Sequence, residues 1–138
     1  MSSRIIHVFF LRKDARWHDG QPVTSKDVKF TFDLVREAKD APARLRLNPR
    51  KEWYANVEVV EAPDAHTVVF RLKRPQPSLL AMLASGYSPV LPAHVPLAEH
   101  RSRCVGSGPF KFKEQVAGSG LALRHSRARR AVISAQMS

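Results

Sequence analysis

The 138-residue sequence holds a single cysteine, Cys104. One thiol excludes an internal disulfide framework and any multi-cysteine metal site. Long apolar runs are missing too: none approaches the roughly 18 residues that span a bilayer. The apolar stretch Ile5 to Leu11 is short, is interrupted by His7, and runs into Arg12, Lys13 and Asp14 without a small-residue cleavage site. It does not read as a signal peptide, and the chain as written is expected to stay in the cytoplasm. Acidic residues are also few, 12 against 23 Lys plus Arg, for a formal net charge of +11.

That charge invites a nucleic-acid reading, because neutralising phosphates releases counterions. Its distribution argues against one. Residues 1–114 carry all 12 acids interspersed among the bases, whereas Arg124, Arg127, Arg129 and Arg130 lie in an acid-free C-terminal stretch. Arg44, Arg46, Arg50 and Lys51 form the other basic cluster. A small basic nucleic-acid-binding protein therefore stands as the alternative reading, with a solvated basic surface preferred. Apolar residues make up 43% of the chain, a share that supports a packed core.

Residues 5–11 read as a short buried strand. Asp19-Gly20 is a turn signal, and Pro22 keeps the chain extended. Thr24-Ser25-Lys26-Asp27 resembles a capping box and opens a helix that should fade near Asp40. Val28, Phe32 and Val35 make its apolar face, widened by Phe30 and Leu34. Residues 41–53 predict a loop with a short helical turn. Val57, Val59 and Val60 form a strand, Ala62 to Ala65 a turn, and Val68, Phe70 and Leu72 the inward face of the return strand. A short helix covers Leu79 to Leu83 and ends at Gly86. Three prolines limit residues 87–98 to extended chain or one turn. Gly106 to Pro109 turns into a strand at Phe110 and Phe112, and a second strand covers 121–125. The pattern is α+β, an antiparallel sheet with flanking helices. The basic tail 124–138 lacks caps and periodicity and is expected to be disordered or frame-shifted.

No catalytic or metal constellation emerges. The six histidines show no ligand spacing and read as ordinary surface or turn residues, and Cys104 has no partner base in the local sequence. Gly106-Ser107-Gly108 lacks the G-K-[ST] of a phosphate loop and reads as a structural turn. No enzyme, cofactor or metal is expected.

Four blocks, taken in order, resemble the family 5 extracellular solute-binding proteins, the dipeptide, oligopeptide and nickel receptors of ABC importers. They are Phe10 to Val28 with its W-H-D-G-Q-P-V-T core, the hairpin Val57 to Pro75 with its A-P-D turn, Leu91-Pro92-Ala93-His94, and Gly106-Ser107-Gly108-Pro109-Phe110-Lys111. The resemblance covers roughly residues 5–123. It implies part of one lobe of a two-lobed, class II periplasmic-binding-protein-like fold. It also implies a periplasmic location, a peptide or other small solute as ligand, and an ABC permease as partner, with no nucleic acid. Trp17, Asp19, Gly20, Pro22, Thr24, Asp27, Gly106, Gly108 and Pro109 match the family signature and are expected to determine the fold. The ligand contacts are left unassigned. Two departures qualify the likeness: no second lobe is expected within these 138 residues, and residues 123–130 replace the N-P-x-Y-W motif that follows in the family. A receptor fragment that binds solute weakly or not at all on its own is the expectation.

Overall fold

Alternation in Thr67–Leu72 decides which face of the sheet is inward. Val68, Phe70 and Leu72 are buried, while the residues between them are only half covered. We describe this from a computed structural model that covers residues 5–116, 120–125 and 134–136. Strand β1 is Ile5–Phe10, β2 is Val57–Asp64 and β3 is Thr67–Leu72. The turn between β2 and β3 is tighter than the sequence suggests. Asp64 pairs with Thr67, and the Asp64 carboxylate accepts the His66 N–H at 2.8 Å. The Asp side chain thus closes a two-residue turn that the Ala-Pro-Asp pattern placed earlier. β1 pairs antiparallel with β3 on its other side, giving the order β2-β3-β1 in the sheet.

β1 departs from its reading as a fully buried strand. Phe9 is buried, but Ile6 and Phe10 are 41% and 48% exposed. Among the described residues the helices pack into one core cluster on one face of the sheet, so side chains that alternate onto the other face stay open.

Helix α1, Ser25–Arg36, covers the inner face. Its residues Val28, Phe32 and Val35 meet Phe9, Tyr54, Val57, Val60, Val68, Phe70 and Leu72 in one core cluster. Phe32 stands edge-on to both Phe70 and Tyr54, with ring centres 5.1 and 5.2 Å apart. Such T-shaped contacts add about 0.5–1.5 kcal/mol each beyond area burial. α1 stops at Arg36, short of the expected Asp40. Glu37 adopts φ 52°, the left-handed region, and the Ala38 N–H reaches back to the Asp33 carbonyl at 2.9 Å. Asn48 donates to the Val35 carbonyl, and Lys51 grips the Glu37 carboxylate, so the closing turn is held from outside the helix.

The remaining pieces are short. A 3-10 turn, Glu52–Tyr54, buries Tyr54, and α2, Leu79–Ala84, buries Leu79 against the same core. A second 3-10 turn spans Leu97–Glu99. Strands β4, Phe110–Val116, and β5, Gly120–His125, form a separate two-stranded antiparallel sheet. The tail expected from Arg124 therefore begins inside β5, and Ser134–Gln136 forms β6, which pairs with Val8–Phe10 on the free edge of β1. Strand pairing extends past the boundary read from composition, which carries no signal of a partner lying far away in sequence. Arg127, Arg129 and Arg130 lie outside the described residues. Among the described residues, no helix is long and apolar enough to cross a membrane.

Phe70 touches both neighbouring aromatic rings and lies 2% exposed at the centre of the core. Phe70→Ala should lower unfolding stability by about 3–5 kcal/mol, read from urea denaturation. A loss under about 1 kcal/mol would contradict the packing described.

Candidate functional site

The signature residues come together beneath the N-terminus of α1. Asp27 is 4% exposed, and its carboxylate collects donors from three parts of the chain. Oδ2 accepts the Thr24 N–H at 2.8 Å, the Trp17 indole N–H at 3.2 Å and the Thr24 hydroxyl at 3.3 Å. Oδ1 accepts the Ala93 N–H at 2.8 Å. A buried carboxylate is tolerable only when its lone pairs are taken up in this way. One turn further on, the buried Thr31 hydroxyl donates to the Asp27 carbonyl and accepts the Leu91 N–H, both at 2.8 Å. The first and third sequence blocks are thereby stitched together through one helix. Thr31 carried no signal in the sequence, where a threonine within an apolar helix face reads as neutral.

The first block also binds the fourth. His18 and Gly106 exchange two bonds: the His18 N–H donates to the Gly106 carbonyl at 2.8 Å, and the Gly106 N–H meets His18 Nδ1 at 3.2 Å. His18 Nε2 lies 2.8 Å from the Gly108 carbonyl, and the Lys111 ammonium donates to the His18 carbonyl at 2.7 Å. A Cβ on residue 106 would sit 3.2 Å from the His18 ring, so the close approach favours glycine there. Pro109 leads directly into β4.

The turn itself is short and tightly bonded. Gly20 has φ 91°, a conformation costly for any residue with a side chain. Its N–H donates to the Trp17 carbonyl, while the Trp17 N–H donates to Gln21. Arg16 bridges to Pro22 in an isolated ladder step. The Asp19 carboxylate accepts the Gln21 N–H and contacts the His94 ring. Burial pushes the Asp19 carboxyl upward. The His94 and Gln21 hydrogen bonds, with the charges of His94 and Arg103, outweigh that and hold it below the usual carboxylate range. His18 and His94 are thus structural ties, in place of the ordinary turn residues expected.

A cleft of about 360 Å³ opens beside this joint, lined among others by Trp17, Val23, Val28, Val90 and Gly106. Its lining is mostly apolar, and its one charged residue, Arg12, is already held bidentately by Asp14 at 2.9 and 2.7 Å. A site that orients a small solute needs several convergent polar groups, and few reach this cleft. Of the basic cluster at 44–51, Lys51 is bonded to Glu37 and Arg50 to the Tyr87 carbonyl, so two of its four cations serve the fold. Cys104 is exposed. Among the described residues, no group of three or more His, Cys, Asp or Glu side chains is placed to hold a metal ion.

Comparison with known proteins bears on the same stretch of chain. The sequence profile described as bacterial extracellular solute-binding proteins, family 5, middle region, matches residues 6–127. A Brucella ovis protein named "Putative ABC transporter peptide-binding protein" is 44% identical over 116 residues, which is 75% of this chain and 20% of that protein. An Escherichia coli protein named "Probable D,D-dipeptide-binding periplasmic protein" is 33% identical, over 83% of this chain and 22% of its own length. The oligopeptide-binding protein of Bacillus subtilis, solved with a nonapeptide, superimposes with a TM-score of 0.70 at 27% identity. It covers 91% of this chain and 26% of its own. The chain spans about a fifth of the length of the curated relatives it matches.

Asp27→Ala strands four donors in a buried site and should cost about 2–4 kcal/mol in unfolding stability, measured by denaturant titration. A cost near zero would show that water replaces the carboxylate. Asp19 supplies stability that is fully present above the ordinary carboxylate range and is lost as pH falls through its lowered folded value. The stability difference between wild type and Asp19→Asn should therefore shrink on acidification below about pH 4. A difference that stays constant with pH would exclude that contribution.

Proposed function

The chain belongs to the bacterial extracellular solute-binding proteins, family 5, and on that footing we propose that it forms part of the substrate-binding component of an ABC importer for peptides or similar small solutes. Residues 5–123 are assigned to part of one lobe of a two-lobed receptor working outside the cytoplasmic membrane, with an ABC permease as partner. The observation that supports this most is that the first, third and fourth signature blocks are the segments bonded to one another around Asp27 and His18. Trp17, Asp19, Gly20, Pro22, Thr24, Asp27, Gly106, Gly108 and Pro109 then serve as fold determinants, with solute contacts elsewhere.

A receptor of this kind works by differential closure. Solute contacts from both lobes favour the closed state, and the transporter responds to the shift in population. A single partial lobe supplies one side of such a clamp. Its contribution is to bind and orient, with no bond made or broken, so no catalytic group or cofactor is assigned. Nucleic acid is not assigned as a partner.

Calorimetry with a panel of di- and oligopeptides tests the reading. The 138 residues alone should bind no tighter than the millimolar range. Micromolar affinity would overturn the division of binding between two lobes and place a complete pocket within this chain.

A further inference from the structure

Three large apolar side chains outside the strands stand exposed: Leu47 at 85%, Tyr87 at 70% and Trp53 at 42%. The Trp53 and Tyr87 rings come from different loops and meet edge-on, with centres 6.1 Å apart. Their backbones are fixed from below. Asn48 to Ala55 is a run of overlapping tight turns, in which Lys51, Trp53, Tyr54 and Ala55 each donate to the carbonyl three residues back. Tyr54 is buried, Arg50 donates to the Tyr87 carbonyl, and Ser88 is bonded to the Tyr54 hydroxyl and the Met82 carbonyl. Leu47 directly precedes this run.

Cations flank the patch on two sides. Residues 41–53 hold Arg44, Arg46, Arg50 and Lys51 against one acid, Glu52, a net of +3. The nearby Glu37 carboxylate is held by Lys51 and also feels the charge of Arg44. On the other side the Lys73 ammonium donates to the Ala55 carbonyl, and the Arg74 carbonyl accepts from Asn56. Both of those basic side chains are exposed. We propose that this patch is a peripheral membrane contact, which seats Leu47, Trp53 and Tyr87 at the headgroup level of an anionic lipid surface.

Each part has a place in such a contact. Tyr and Trp rings settle at the membrane–water interface, where one end is apolar and the other wet. A bare leucine gains by entering the acyl boundary. Lys and Arg near an anionic leaflet add attraction that fades within a Debye length. A protein hot spot is instead a desolvated pocket ringed by contacts that exclude water, and Leu47 at 85% exposure projects outward. A nucleic acid would engage the cations and leave that leucine in water. Three apolar side chains give weak, reversible binding, far from the hold of a spanning helix. Such a contact needs neither solute nor a second lobe, so it stands apart from the receptor reading.

The full 138-residue chain with lipid vesicles tests it. The chain should sediment with vesicles of mixed phosphatidylcholine and phosphatidylglycerol, and not with phosphatidylcholine alone. Binding should be lost at about 1 M salt, where the Debye length falls to about 3 Å. The chain has two tryptophans, and Trp17 is buried with its indole bonded to Asp27, so a blue shift in emission on binding reports Trp53. Trp53→Phe should abolish the shift. Leu47→Ser should weaken partition about tenfold, the worth of burying a leucine side chain. Arg46→Gln should weaken it about fivefold. Leu47 and Arg46 are exposed, so neither change threatens the fold. Failure to bind anionic vesicles overturns the proposal. Binding without a Trp53 shift, or unchanged in Leu47→Ser and Arg46→Gln, assigns it to the general positive charge of the chain and rejects the patch. Poly-glutamate that shifts Trp53 as far as the vesicles do reassigns the patch to an acidic protein and also rejects it.

Discussion

The buried carboxylate of Asp27 is the constraint on which the neighbouring structure rests. It lies within the first turn of α1 and accepts donors from the turn before the helix, from the Trp17 indole and from the loop at Ala93. The Thr24 and Ala93 backbone N–H groups lie outside any strand, so a side chain satisfies them. The carboxylate does this and also lies at the positive end of the helix dipole. Trp17 is thereby locked indole-first into a small apolar cluster with Ala15 and Val23, separate from the main core.

The two clusters divide the labour. The larger one, between α1 and the sheet, is held by interlocking aromatic rings and non-directional burial. The smaller joint is held by directed hydrogen bonds from residues far apart in sequence. Apolar packing tolerates substitutions that conserve volume, whereas a site with four donors on one carboxylate does not. Three of the four blocks that resemble the family fall in the turns and the joint, and the fourth is the β2–β3 hairpin of the sheet.

Much of the architecture was legible in the sequence because its period is local. The alternation at Val68, Phe70 and Leu72, the apolar face of α1 and the Asp19-Gly20 turn all follow from residues within a few positions of each other. The misses have long-range causes. The end of α1 depends on Asn48 and Lys51, which lie beyond the helix. The open face of β1 could not be read from an unbroken apolar run, since such a run has no period to distinguish its sides. The ties from Thr31 to Leu91 and from His18 to Gly106 pair residues whose types carry no mark of each other. The candidate joint was therefore visible as a set of named residues, and invisible as a set of contacts.

The placement of β1 has a consequence for biogenesis. Ile5–Phe10 is synthesised well before its main partner, Thr67–Leu72. At synthesis rates of about 5–20 residues per second, that strand waits for seconds with its backbone unpaired. The sequence Ile-Ile-His-Val-Phe-Phe has no acidic or basic residue other than histidine and strong β propensity, the composition of segments that stack with their own copies. Arg12, Lys13 and Asp14 follow immediately and act as gatekeeping charges. Those charges oppose stacking of the segment on its own copies until its neighbour appears.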